Sequence, residues 1–99
     1  MAYDPGAIDA ALAAAVGDDP ALIAELRAAF LDSADRYAEA LAGSRCDANW
    51  RQAACRLQGL AASFGAVGLM RLADAAEAGA PGDPVILRDV RLAIGEIAR

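Results

Sequence analysis

Apolar residues return along this chain at helical spacing. Ile8, Leu12 and Ala15 or Val16 make one stripe in the first segment. Ile23, Leu26, Phe30, Ser33/Ala34, Tyr37 and Leu41 make a longer one in the second, and Gly43-Ser44 closes it. Leu69, Leu72/Ala73 and Ala76 mark a fourth segment, and Ile86, Val90, Ala93/Ile94 and Ile97 a fifth. Start signals precede these stripes: Asp4-Pro5, Asp18-Asp19-Pro20, Asp47 as a cap for the third segment, and Asp83-Pro84. Gly17, Gly65 and the run Gly79-Ala80-Pro81-Gly82 stop them. The predicted helices cover about 5–16, 20–42, 47–64, 66–78 and 84 to the end of the chain. Nothing alternates with period two, so no strand is expected. The resulting fold class is all-α: an antiparallel up-down four-helix bundle with an additional short N-terminal helix covering one end, as a single domain over 1–99.

The third segment is the informative one. On a wheel with Cys55 at zero, Trp50, Ala53, Leu57, Leu60, Ala61 and Phe64 gather between about 140° and 240°. The near side holds Ala48, Arg51, Gln52, Cys55, Gln58, Gly59 and Ala62. That side is a solvent face, and Gly59 and Ala62 make it flat. A mid-helix glycine costs about 1 kcal/mol relative to alanine. Close approach of another molecule to the backbone is the best explanation for accepting that cost.

Composition supports the helices and narrows the function. Alanine occurs 28 times while Lys, Thr and His are absent, a vocabulary that favours helix. A net charge of −5 speaks against general affinity for nucleic acid or an anionic membrane. No apolar run approaches the length of about 18 residues that a membrane span needs. The first nine residues carry Asp4 and no basic residue, so no secretory signal is expected, and two cysteines then suggest reduced thiols in the cytoplasm.

The stretch from Ala53 to Ala66, AACRLQGLAASFGA, resembles the signature of histidine phosphotransfer (HPt) domains, A-H-x-L-K-G-S-A-x-x-x-G-A followed by a Leu. Ala54, Leu57, Gly59, Ala61, Gly65, Ala66 and Leu69 fall on family positions, and Asp47 matches the usual start of that helix. Upstream, Glu25 to Ala34 is similar to the family's preceding helix with its Phe-Leu pair. Three positions depart: Cys55 replaces the phospho-accepting His, Gln58 the usual Lys, and Leu60 the usual Ser. Leu60 lies at the core edge and reads as repacking. In the family, the imidazole attacks a receiver domain's aspartyl phosphate and the Lys offsets the incoming charge. This chain has no histidine at all, so histidine phosphotransfer is excluded. A thiol in mid-helix lacks the loop of backbone donors that phosphocysteine enzymes place around their sulfur.

The resemblance therefore implies two-component signalling without phosphate transfer. Cys55 marks the acceptor-equivalent position, and Arg51, Gln52, Arg56, Gln58, Gly59 and Ala62 form the partner-docking face. No acid occurs between Ala48 and Met70, while Arg51 and Arg56 do, so the face suits an acidic partner such as a receiver domain or a histidine kinase. The chain is expected to be no enzyme and to need no cofactor or metal; a monomer is favoured. Cys46 and Cys55 lie about 13.5 Å apart along a helix axis, too far for an intrachain disulfide. Two other readings stay open: an active phosphotransfer protein in which Cys55 is a substitution, and a thiol-based redox or dimerisation module.

Overall fold

The computed structural model describes residues 6–98, and all of their regular secondary structure is α-helical. The helices are α1 (Gly6–Val16), α2 (Pro20–Ala42), α3 (Asp47–Ser63), α4 (Val67–Ala78) and α5 (Pro84–Ala98). The Asp4-Pro5 start signal lies outside the described residues. Helix α2 packs against α3 and α5, α4 packs against the same two, and α1 rests on α2. At 1.5 Å per residue α2 is about 35 Å long, so it runs most of the 42 Å length of the molecule.

Two of the start signals act as local chemistry requires. The Asp19 carboxylate accepts from the backbone N–H groups of Ala21 and Leu22 at 3.1 and 3.3 Å. The Asp83 carboxylate does the same for Val85 and Ile86 at 2.9 and 3.4 Å. Each satisfies donors that the first turn of a helix cannot pair internally. Asp47 does not cap α3. The extended residue before the helix is Cys46, which makes no side-chain cap bond, and Asp47 sits inside the first turn. A carboxylate there still opposes the positive end of the helix dipole.

The stop between α3 and α4 has a clear cause. Gly65 takes φ +71°, its N–H bonds the Ala62 carbonyl at 3.3 Å, and the Ala66 N–H reaches back to Ala61 at 2.9 Å. This is the Schellman arrangement, which needs a left-handed residue that glycine adopts without strain. Gly65 and the buried Ala66 thus have a purely structural reason to stand where they do.

The apolar stripes are largely the buried faces. Phe30, Ala34, Leu41, Leu57, Leu69, Ala73, Val90, Ile94 and Ile97 are buried, and Ile23, Leu26, Tyr37, Leu60, Leu72, Ile86 and Ala93 pack partly buried around them. In α1 only Ile8 and Leu12 turn inward among the expected stripe, because Ala15 and Val16 at its end are exposed. Arg27 ties three elements together: it pairs with Asp9 of α1 at 3.4 Å and donates to the Ile97 carbonyl in the last turn of α5. A cation at that carbonyl end also suits the helix dipole.

Candidate docking face

Helix α3 is held from behind at both ends. Near its start the Trp50 side chain, 1% exposed, donates its indole N–H to the Ala76 carbonyl at 2.6 Å. That carbonyl belongs to the last turn of α4, where helix bonding leaves acceptors over. At the far end Phe64 meets Phe30 of α2 with ring centroids 4.9 Å apart and planes tilted by 48°, a favoured aromatic geometry. Between them Ala53, Ala54, Leu57 and Ala61 are buried. Ala54 lies beyond the core arc read from the wheel and is nonetheless fully buried. The second, smaller core of Leu41, Trp50, Ala53, Ala54 and Ala76 reaches around that side of α3.

The opposite side is open, as the wheel requires. Ala48, Arg51, Gln52, Cys55, Arg56, Gly59 and Ala62 are exposed, and Gln58 is half-buried at the edge. These residues share one continuous helical surface, so the structure brings together every position of the expected face. Cys46 and Cys55 are both free and exposed. Among the described residues no group of three or more His, Cys, Asp or Glu is placed to hold a metal ion. No helix there is long and apolar enough to cross a membrane.

Gly59 separates structural from external demands. A Cβ built on it meets no atom within 4 Å. Its own fold gives no packing reason for a glycine, in contrast to Gly65, and the same holds for Gly95 within α5. We therefore expect Gly59→Ala to raise stability by about 0.5–1 kcal/mol. A thermal melt checks this, and a lowered melting temperature contradicts it.

The two arginines, alike in sequence, have different surroundings. Arg51 borders a hollow of about 370 Å³ that Asp47, from the first turn of its own helix, and Glu77 of α4 also line. Arg56 borders a second hollow of about 240 Å³, between α2 and α3, with Tyr37, Ser44, Asn49 and Gln52, and no acid lines it. Neither arginine makes an ion pair with a described residue. The positive side of the face is therefore the Arg56 side. Sequence reasoning missed Tyr37, Ser44 and Asn49 as parts of it. Tyr37 falls on the inward stripe of α2, and the other two belong to the α2–α3 turn and the first turn of α3, where periodicity carries little information.

Set against family models, curated proteins and solved structures, the chain matches none.

Proposed function

We propose that this chain is an HPt-like docking protein of two-component signalling, acting in the cytoplasm. It binds a response-regulator receiver domain or a histidine kinase through the exposed face of α3 and carries no phosphate. The proposed architecture is a single antiparallel bundle of α2 to α5, with α1 as the added N-terminal helix. The ring of packing from α2 to α3, α4, α5 and back to α2 supports that arrangement.

One observation carries the functional reading. A small-residue platform of Cys55, Gly59 and Ala62 lies open beside the exposed Arg56, and the fold itself has no use for its glycine. Its Arg56 side favours an acidic partner, because no acid lines the hollow that Arg56 borders and residues 48–70 contain none. Receiver domains gather carboxylates around their phospho-accepting Asp, which gives the complementary charge. The chemistry of phosphate transfer is absent from the same face, since Cys55 and Gln58 stand where an imidazole and a cation would be needed.

Titration against the receiver domains and histidine kinases of the same genome tests the proposal. At least one should bind, with no phosphate transferred to the chain. Arg56→Glu should weaken that complex by about tenfold, and Arg51→Glu by less, because two acids line the hollow beside Arg51 and none lines that beside Arg56. If no receiver or kinase binds at high micromolar concentration, while intact HPt proteins do, the proposal is lost.

A further inference from the structure

The hollow between α2 and α3 gathers hydrogen-bonding side chains that the fold does not use. Tyr37 lines it from α2, and Asn49, Gln52 and Arg56 line it from α3. The α3 residues are spaced by three and four, which puts them on one side of the helix. None of these four side chains makes a hydrogen bond or ion pair with a described residue. Ser44 at the same hollow is already engaged, because its hydroxyl donates to the Ala40 carbonyl at 2.7 Å.

Arg56 is the one charged group there, and nothing balances it. The positions three and four residues to either side, where helical ion pairs form, hold Gln52, Ala53, Gly59 and Leu60. No acid reaches the hollow from α2. Other arginines are treated differently: Arg27 pairs with Asp9, Arg36 with Asp32 and Arg88 with Asp89. In a chain with fourteen acids and nine basic residues, an arginine set only among neutral hydrogen-bonding groups stands apart.

What the hollow lacks is an anionic acceptor, and charge selects which one. A guanidinium presents parallel N–H groups that match the two oxygens of a carboxylate. The Tyr37 hydroxyl and the Asn49 and Gln52 amides can donate to the same oxygens. One guanidinium balances one carboxylate. A phosphate monoester carries about −1.5 to −2 at neutral pH, and the surplus would lie uncompensated on a chain of net charge −5. At about 240 Å³ the hollow has room for the end of a side chain, where a single water occupies about 30 Å³.

We propose that the α2–α3 hollow is a carboxylate subsite that takes one Asp or Glu side chain of the docking partner. Arg56 forks the carboxylate, and Tyr37, Asn49 and Gln52 hydrogen-bond it. The identity of the molecule presenting that carboxylate rests on the docking reading above; the subsite itself is a property of this chain. Arg51 forms no second subsite of this kind, because Asp47 and Glu77 line its hollow.

A probe that needs no partner protein tests the subsite: N-acetylglutamate α-amide, a single capped residue, titrated into the labelled full chain at constant ionic strength and neutral pH. The side-chain N–H signals of Arg56, Asn49 and Gln52 should shift and saturate, with half-saturation on the order of 10 mM, while those of Arg51 stay in place. The glutamine analogue, equal in size and uncharged, should bind at least about tenfold more weakly. Arg56→Gln should abolish saturation, Tyr37→Phe should weaken binding by about threefold, and Arg51→Gln should change nothing. Arg56 is exposed and Tyr37→Phe keeps its ring, so the circular dichroism of all three should stay helical. Shifts that do not saturate, equal shifts at Arg51 and Arg56, or equal binding of the glutamine analogue overturn the subsite. Tighter binding of the phosphoserine analogue overturns its assignment to a carboxylate. A receiver domain that docks on α3 while the probe finds no site defeats this inference alone. A probe that binds while no receiver or kinase does upholds the subsite and defeats the signalling reading alone.

Discussion

Replacing Trp50 with alanine should lower the stability of the chain by about 3–5 kcal/mol. The indole is 1% exposed and belongs to the small core with Leu41, Ala53, Ala54 and Ala76. Three of those four neighbours are alanines, which have no longer side chain with which to fill the space. Domains of this size are stable by about 5–15 kcal/mol, so the loss takes a large share. The melting temperature should fall by something on the order of 20 °C. Trp50→Phe restores part of the packing without the hydrogen bond. It fills the space with a smaller, six-membered ring and removes the indole N–H, while the Ala76 carbonyl retains the Gly79 N–H at 3.1 Å. Its cost should therefore be smaller, about 1–2 kcal/mol. Equal losses for the two variants would show that the hydrogen bond, and not the filled space, holds α3 against α4.

The second large effect is on binding and leaves the fold alone. Gly59→Phe should remove partner docking by roughly thirtyfold or more, the cost of about 2 kcal/mol seen at interface hot spots. The new ring has open space above the helix, since a Cβ there touches nothing, so it stands where the partner must come. Its melting temperature should equal or exceed that of the native chain. Gly59→Ala adds one small group and should weaken binding much less. Calorimetric titration of all three proteins with the same receiver domain checks the order. Undiminished binding by Gly59→Phe would place the partner elsewhere.

Much of this fold is legible in the sequence because helix signals are local. The Asp-Pro pairs at 19–20 and 83–84 carry their own capping chemistry, and both caps form. The apolar stripes of α2, α4 and α5 mark their buried faces for the same reason, with the ends of α1 and α3 less well marked. Asp47 misleads because a capping residue type one position inside the helix is indistinguishable, in sequence, from one at the boundary. Ala54 misleads because a small side chain can be buried beyond the edge of the apolar arc when a neighbour as large as Trp50 builds a second core there. The α3 face itself is legible from periodicity, yet the unlike surroundings of Arg51 and Arg56 are not. They depend on Glu77 from α4 and Tyr37 from α2, which reach α3 only through packing.

Docking of a receiver domain or kinase on the exposed side of α3, as proposed, would perturb the amides of that face. Amide chemical-shift mapping of the labelled chain during titration with the unlabelled partner reads this residue by residue. Shifts should concentrate at Arg51, Gln52, Cys55, Arg56, Gln58, Gly59 and Ala62, extending to Tyr37 and Asn49 beside Arg56. The amides of Gly68, Arg71, Leu92 and Glu96, which line a groove between α4 and α5, should stay where they are. Shifts confined to the α4–α5 groove, or none at saturating partner, would contradict that docking.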